Sequence, residues 1–181
     1  MLERMSRRHM VIDLDDRPDP AGPMAFALRH PTNDDLDDLA ALMLDAYRGT
    51  IDADGSETLE DARTEVRGYL AAKSGEPMLE HSHLAFDGDK LVGAILVSRF
   101  DGTPLLAYAM TAAAHKGRGI ATQLTRRALD SLRGAGDRQM HLWVTAGNAD
   151  AEHMYERLGF RDVDPPPPAP QTGGGESNPA H

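Results

Sequence analysis

The chain of 181 residues contains no cysteine, few aromatic residues and no long apolar segment. Without cysteine, disulfide bonds, thiolate zinc sites and a thiol nucleophile are excluded. An aromatic content of 5% argues against a base-stacking surface for nucleic acid. No apolar run approaches the ~18 residues of a membrane span, and none follows the arginines near the start, as it would in a signal peptide. These absences predict a soluble protein of the cytoplasm.

The formal net charge of -10 argues against nucleic acid or an anionic membrane as a partner. The length predicts one folded domain with a tail at each end. The sequence does not fix the oligomeric state, and both a monomer and a homodimer stay open. Residues 1–23 lack periodicity and contain three prolines, which predicts a flexible arm. Residues 164–181 are rich in proline and glycine, which predicts a disordered tail or a polyproline II segment at 165–168. The folded domain is therefore expected to span 24–163.

Hydrophobic periodicity within this domain predicts strands and helices in the order β-α-α-β-β-β-α-β-α-β. Strands are expected at 26–29, 83–86, 91–98, 105–113, 139–145 and 160–163, and helices at 36–47, 57–73, 120–132 and 149–158. Turn sequences join the second, third and fourth strands into an antiparallel meander, whereas a helix between the fourth and fifth makes those two parallel. The fold class is α/β (α+β), with one mixed, mostly antiparallel sheet and helices on both faces.

A glycine-rich turn lies between the fourth predicted strand and the helix that follows it. Its sequence is Lys116-Gly117-Arg118-Gly119-Ile120-Ala121. Glycines allow the backbone to turn tightly and approach a ligand, and the start of a helix presents unpaired N–H groups to a phosphate. The spacing matches neither a P-loop nor the dinucleotide fingerprint. The turn is interpreted as a pyrophosphate site or, alternatively, as a solvated loop.

A second marker follows the fifth predicted strand. Asn148 stands where a helix begins, Tyr155 lies about two turns into that helix, and Leu158-Gly159-Phe160 ends it. Taken singly, the Asn is an ordinary N-cap and the Tyr a half-buried amphipathic residue.

The two markers together, in this order and spacing, closely resemble the GNAT superfamily of acetyl-coenzyme A-dependent N-acyltransferases. The resemblance covers roughly residues 24–163 and is strongest from 105 to 163. It implies that the fourth and fifth predicted strands splay apart and hold the pantetheine arm of acetyl-coenzyme A. It also implies that Tyr155 donates a proton to the departing thiolate. No metal is implied. The residues that the resemblance assigns to the coenzyme are Met110, Thr111, Ala112, Lys116, Gly117, Arg118, Gly119, Ile120, Ala121, Asn148 and Tyr155.

Three departures from the family pattern are visible. Lys116 stands where Arg or Gln is usual, Ala113-Ala114 replace a frequent proline, and the fourth strand lacks the glutamate that serves many relatives as general base. An alkylammonium has a pKa near ~10.4, so some group must accept its proton. Glu80 and Tyr108 are the candidates, and their alternatives are a solvated loop charge and core packing.

Acidic residues crowd the region expected to border the acceptor channel. They are Asp34, Asp35, Asp37, Asp38, Asp45, Asp52, Asp54, Glu57, Glu60, Asp61 and Glu65. Such a surface would attract a cationic amine, or it is simply a solvated helix face. The histidines are more ambiguous: His81 and His83 alternate along one stretch, as metal ligands or as packed side chains, and His115 could face a phosphate or lie on the loop surface.

The resemblance therefore predicts transfer of an acetyl group from acetyl-coenzyme A to a small-molecule primary amine by direct attack. Two alternatives are an acyl-coenzyme A binding or sensing module without catalysis, and an enzyme that acetylates protein N-termini or lysines.

Overall fold

The computed structural model describes residues 6–16 and 19–163. The described residues form a mixed eight-stranded sheet and four α-helices. The strands are β1 (Arg7–Asp13), β2 (Ala27–Arg29), β3 (Glu76–Pro77), β4 (His83–Asp87), β5 (Lys90–Phe100), β6 (Thr103–Thr111), β7 (Gln139–Thr145) and β8 (Arg161–Asp162). The helices are α1 (Leu36–Tyr47), α2 (Leu59–Leu70), α3 (Ile120–Gly134) and α4 (Ala149–Leu158).

The sheet has the order β2-β4-β5-β6-β7-β1-β8, and β3 also pairs with β5. Strands β4, β5 and β6 form the predicted antiparallel meander, and β6 and β7 are parallel. Helix α1 packs against α2 and contacts β5 and β6, whereas α3 contacts β4, β5, β6 and α4. The predicted fold class, a mixed sheet covered by helices on both faces, is confirmed.

The prediction that residues 1–23 form a flexible arm is wrong for β1. This strand pairs along its whole length with β7, from Arg7 opposite Thr145 to Asp13 opposite Gln139, and its other edge pairs with β8. Consecutive residues Met10, Val11 and Ile12 are buried because the strand is covered on both faces. A strand of that kind shows no alternation in its sequence, so periodicity does not reveal it.

The stretch between β1 and residue 24 is also attached where it is described. The Ala21 N–H donates to Asp130 and the Gly22 N–H donates to Gln123, both on α3. The packed domain therefore begins before residue 24. The tail prediction for 164–181, including the proline run, lies outside the described residues.

The two N-terminal helices begin as their sequences require. Thr32 and Asp35 form a capping box at the turn that leads into α1, and Thr58 and Asp61 form a second one at α2. Buried Asp35 is also bonded by both guanidinium nitrogens of Arg29, at 2.8 and 2.6 Å, which lowers the pKa of its carboxyl. These bonds fix the start of α1 against the edge strand β2.

The apolar core lies between the sheet and its helices. Its largest fully buried side chains are Met10, Leu14, Leu39, Leu84, Ile95, Leu96, Met110, Ile120, Leu124, Leu129, Leu132 and Met140. Helix α3 approaches β5 very closely at Gly93, where an added Cβ would lie 2.4 Å from Cγ2 of Ile120 and 3.4 Å from Cδ1 of Leu124. Glycine at this position sets the depth at which the first turn of α3 sits on the sheet.

Replacing Gly93 with alanine is therefore expected to displace the start of α3. Overpacking of this kind costs about 1–3 kcal/mol, which denaturant unfolding would measure. Since Ile120 is the first residue of α3, coenzyme binding at the preceding turn should weaken as well. Gly134→Ala is the matched control on the same helix, because a Cβ there meets nothing within 4 Å. Equal stability and coenzyme affinity in Gly93→Ala and the control would contradict this account.

Candidate active site

A gap opens between the two parallel strands of the sheet. The ladder between β6 and β7 consists of Leu105 opposite His141 and Leu106 opposite Leu142, with no further pair in the described chain. At that point Ala107 is an extra residue in β6, since Leu106 pairs with Val97 and Tyr108 with Leu96. A bulge of this kind bends a strand and increases its twist. The bulge thus accounts for the separation of β6 from β7 and re-aims the side chain of Tyr108.

The glycine turn lies at the carboxyl end of β6. Gly117 and Gly119 adopt φ angles of +77° and +75°, and a Cβ on either would meet nothing within 4 Å. The first helical bond of α3 runs from the Gln123 N–H to the Gly119 carbonyl at 3.0 Å. The N–H groups of the three residues before Gln123 have no helical partner and carry the positive end of the helix dipole. This arrangement suits a diphosphate.

The cations of this turn have different surroundings. The Lys116 ammonium donates to the Ala46 carbonyl at 2.8 Å, at the end of α1, so this side chain holds the turn against α1. The Ala113 N–H donates to Asp45 Oδ2 at 2.8 Å, which attaches the turn to α1 at a second point. Arg118 is exposed. We expect phosphate recognition to rest on main-chain N–H groups, with the exposed Arg118 as an additional cation.

The prediction that His115 could face a phosphate is not supported. The imidazole is 9% exposed, packs edge-on against Phe26 and has Nε2 3.0 Å from the Asp87 carboxylate. Its Nδ1 is buried. Burial of the ring under the turn orients this histidine away from an incoming ligand.

The three coenzyme residues predicted on and after β6 differ in the direction of their backbone. The Ala112 N–H donates to the Val92 carbonyl at 2.8 Å, on the β5 side. Along an antiparallel ladder the backbone N–H and C=O groups of successive residues point alternately to one side and the other. Those of Met110 therefore also point toward β5, and those of Thr111 point toward the gap. Thr111 is therefore the member whose main chain can meet a ligand between the strands, and the coenzyme contact of all three stays a prediction.

A cluster of polar side chains from several elements lies near the bulge. We call it the polar cluster, and it consists of Arg7, Tyr47, Asp52, Glu65, Tyr108 and Tyr155. Its clearest contact joins the Tyr108 hydroxyl to Glu65 Oε2 at 3.0 Å, with the ring of Tyr69 edge-on to Tyr108. The Tyr47 hydroxyl donates to the Ala109 carbonyl at 3.4 Å.

The Glu65 and Tyr108 pair has a defined proton preference. Burial raises the pKa of Glu65, and the hydrogen bond from Tyr108 opposes that rise. Burial and the adjacent Glu65 raise the pKa of Tyr108. Tyr108 is thus a protonated donor at neutral pH, while Glu65 can take up a proton. The geometry favours Glu65 over Tyr108 as general base.

Tyr155 lies on α4, buried against Phe160, with ring centroids 5.7 Å apart. Burial raises its pKa, and the negative charge of Asp52 raises it further. Burial also raises the pKa of Tyr47, with contributions from Tyr155 and Asp52. Tyr155 therefore keeps its proton at neutral pH, as a hydrogen-bond donor to a thiolate must.

Asn148 caps α4 as the sequence predicts. Its Oδ1 accepts from the Ala151 N–H at 3.3 Å, and its Nδ2 donates to Asp52 Oδ2 at 3.0 Å. The side chain thus joins the α1–α2 loop to the helix that carries Tyr155. Its contact with pantetheine stays a prediction.

Other candidates from the sequence lie apart from the polar cluster. Glu80 is exposed beside His81, in a depression also lined by Arg99 and Asp137 near the carboxyl end of α3. His81 Nδ1 lies 2.6 Å from Ser131 Oγ, and the His83 ring packs against the His30 ring. Burial lowers the pKa of His83 to about 4. Within the described ranges no three His, Asp or Glu side chains are arranged to hold a metal.

Glu65 was predicted only as part of the acidic surface and was missed as a candidate base, although a signal was present. It shares the inward face of α2 with Ala62, Val66 and Tyr69, which are buried. A carboxylate on the apolar face of an amphipathic helix is unusual and marks a candidate site. Arg7 was also missed, because its strand was not predicted.

Sequence comparison identifies the class of protein that this geometry suggests. The acetyltransferase (GNAT) family profile matches residues 37–160, and the chain belongs to that family. It is similar to N-alpha-acetyltransferase 30 of Schizosaccharomyces pombe, with 38% identity over 86 residues, which cover 45% of this chain and 57% of that protein. It is also 31% identical over 153 residues to mycothiol acetyltransferase of Clavibacter michiganensis subsp. michiganensis, covering 83% of this chain and 46% of the relative. The chain spans about half the length of these relatives.

A solved structure gives the same result for the fold. A GNAT family acetyltransferase from Brucella melitensis, in complex with acetyl-CoA, is 25% identical, with a TM-score of 0.58. The match covers 81% of this chain and 92% of that one. Separately, no helix in the described part of the chain is long and apolar enough to cross a membrane.

Proposed function

We propose that this protein transfers an acetyl group from acetyl-coenzyme A to a primary amine by direct attack. The observation that carries the proposal is the gap itself. Unpaired N–H groups at the start of α3 lie beside the carboxyl end of β6, and the Glu65–Tyr108 hydrogen bond lies by the bulge of that strand. A donor site for a diphosphate, on α3, and a proton acceptor, on α2, thus both lie beside β6.

Each group has one task in this scheme. The main chain of Gly117 to Ala121 binds the diphosphate, and Thr111 offers backbone groups to the pantetheine. Glu65 accepts a proton from the ammonium of the acceptor, and the freed nitrogen attacks the thioester carbon. The C–S bond breaks as the amide forms, and Tyr155 donates a proton to the departing sulfur. The second proton, which the nitrogen loses on becoming an amide, passes through solvent and restores the Tyr155 hydroxyl. The absence of cysteine supports direct attack over a cysteine-bound acyl intermediate.

Thiol-release assays with different amines would identify the class of acceptor. Thiol release from acetyl-coenzyme A, measured with a panel of benzylamine, 1,5-diaminopentane and a tetrapeptide with a free N-terminus, should exceed the rate without amine. Calorimetry on the same protein should give saturable coenzyme binding. Faster release with the peptide than with both small amines would favour a protein acetyltransferase. Saturable binding with no release across the panel would favour a sensing module and contradict the enzyme.

The missing glutamate of the fourth predicted strand is the observation that favours a sensing module. Glu65 supplies a carboxylate to the same neighbourhood from α2, through its 3.0 Å contact with Tyr108 of β6. The departure from the family pattern is therefore compatible with catalysis. This contact supports the enzyme over the sensing module.

A further inference from the structure

The loop between α1 and α2 contributes one carboxylate to the polar cluster, and this group is only half satisfied. Asp52 Oδ2 accepts from Asn148 Nδ2 at 3.0 Å. Asp52 Oδ1 is buried and has no hydrogen-bond partner. A buried acceptor without a donor is costly, and more so when it is charged. The structure thus leaves a strong acceptor that a donor from outside the chain could satisfy.

The Asp52 carboxylate lies near the start of α4. Its partner Asn148 caps α4, a helix of 10 residues, so the carboxylate lies at the positive end of that helix dipole. The bond to Asn148 already closes the loop against α4. Oδ1 is therefore not needed for that structural task.

The charges around Asp52 are unbalanced. The ionisable groups that carry charge in the polar cluster are Arg7, Asp52 and Glu65, which gives one positive and two negative charges when all are ionised. Arg7 reaches the cluster from β1, and Asp52 and Tyr108 act on it electrostatically. A cation entering the cluster would balance its charge, whereas an anion would meet two carboxylates.

We infer that Asp52 Oδ1 binds the ammonium group of the acceptor, so that the substrates are cationic amines. This inference rests on the proposed function and names its substrate class. An ammonium has three N–H donors, so a bond to Asp52 leaves two N–H groups for other acceptors of the polar cluster. The two carboxylates then divide the work: Asp52 binds the cation, and Glu65 removes a proton from it. Asp52 is the specificity-determining residue.

Asp52→Asn is the variant that tests the inference. The asparagine oxygen can still accept from Asn148, while its amide group turns a donor toward the place that the ammonium would occupy. The protein, saturated with coenzyme A so that no turnover occurs, is titrated calorimetrically with benzylamine and with its uncharged isostere benzyl alcohol. The wild type should bind benzylamine about tenfold to 100-fold more tightly than the alcohol. In Asp52→Asn that preference should disappear, with coenzyme A affinity unchanged.

Asp34→Asn is the matched control, since it removes an exposed negative charge from the same acidic region. This variant should keep the preference for benzylamine. Retention of the preference in Asp52→Asn would overturn the inference, and so would an equal loss in both variants, because that would indicate a general field of the acidic surface. The readout is binding, so a protein that selects the amine but never releases thiol would contradict the proposed function and leave this inference standing.

Discussion

Replacing Glu65 with glutamine is expected to lower kcat/KM at neutral pH by about 10²–10⁴-fold, the range that a general base contributes. Glutamine keeps the size of the side chain and can still accept a hydrogen bond from Tyr108, so the fold should be unaffected. What is lost is the group that takes a proton from the ammonium. Steady-state thiol release with the best amine of the panel would measure the change.

The pH profile makes this prediction specific. Glu65 works only when ionised, and burial raises its pKa, so wild-type kcat/KM should fall as the pH drops through that raised pKa. Glu65→Gln should lack this limb and recover activity as the pH rises toward the pKa of the free amine, near ~10.4. Tyr108→Phe removes the hydrogen bond that lowers the pKa of Glu65, and it should shift the acid limb to higher pH.

Glu60→Gln is the control for this variant, because Glu60 lies on the same helix with its side chain 67% exposed. Its kinetics should match those of the wild type. If Glu65→Gln retained both the wild-type rate and the acid limb, Glu65 would not be the base, and another proton acceptor would have to be found.

Replacing Tyr155 with phenylalanine should lower kcat by about 10²-fold while leaving acetyl-coenzyme A affinity unchanged. Phenylalanine preserves the edge-on contact with Phe160 and removes only the hydroxyl. Because burial raises the pKa of Tyr155, the phenol stays protonated and stabilises the departing thiolate by donation. Rapid-quench measurement of the chemical step, with calorimetry for binding, would separate the two effects.

A change of leaving group tests the same role in a different way. The thiolate of p-nitrophenyl thioacetate is much less basic than that of coenzyme A and needs less help from a donor. The deficit of Tyr155→Phe should therefore shrink with this thioester. Tyr47→Phe serves as the control. It removes a second phenol of the polar cluster, whose hydroxyl donates to the Ala109 carbonyl. An undiminished chemical step in Tyr155→Phe would remove the acid role.

Much of the local structure could be predicted from sequence. The bounds predicted for β7 and α4 match the structure, as does the meander from β4 to β6. These features depend on neighbours in sequence: side chains that cap a helix, glycines that end it, and alternation along strands. Interactions between residues close in sequence can be predicted from the sequence alone.

The site itself could be predicted only in part. The glycine turn and Tyr155 belong to sequence motifs, whereas Glu65 is hydrogen-bonded to Tyr108 and Asp52 to Asn148, partners that are distant along the chain. The bond between Lys116 and the end of α1 is equally long in range. Such pairs follow from how the elements pack, and no local pattern encodes them.

The sequence by itself determined the succession of strands and helices, the glycine turn and the phenol of α4, because each depends on the chemistry of adjacent residues. The tertiary structure decided that the first strand enters the sheet between β7 and β8 and that β6 separates from β7 at a bulge. It also decided which carboxylates border the gap. The physical reason is that pairing between strands and packing of helices join groups far apart in the chain, and their free energy depends on the whole fold.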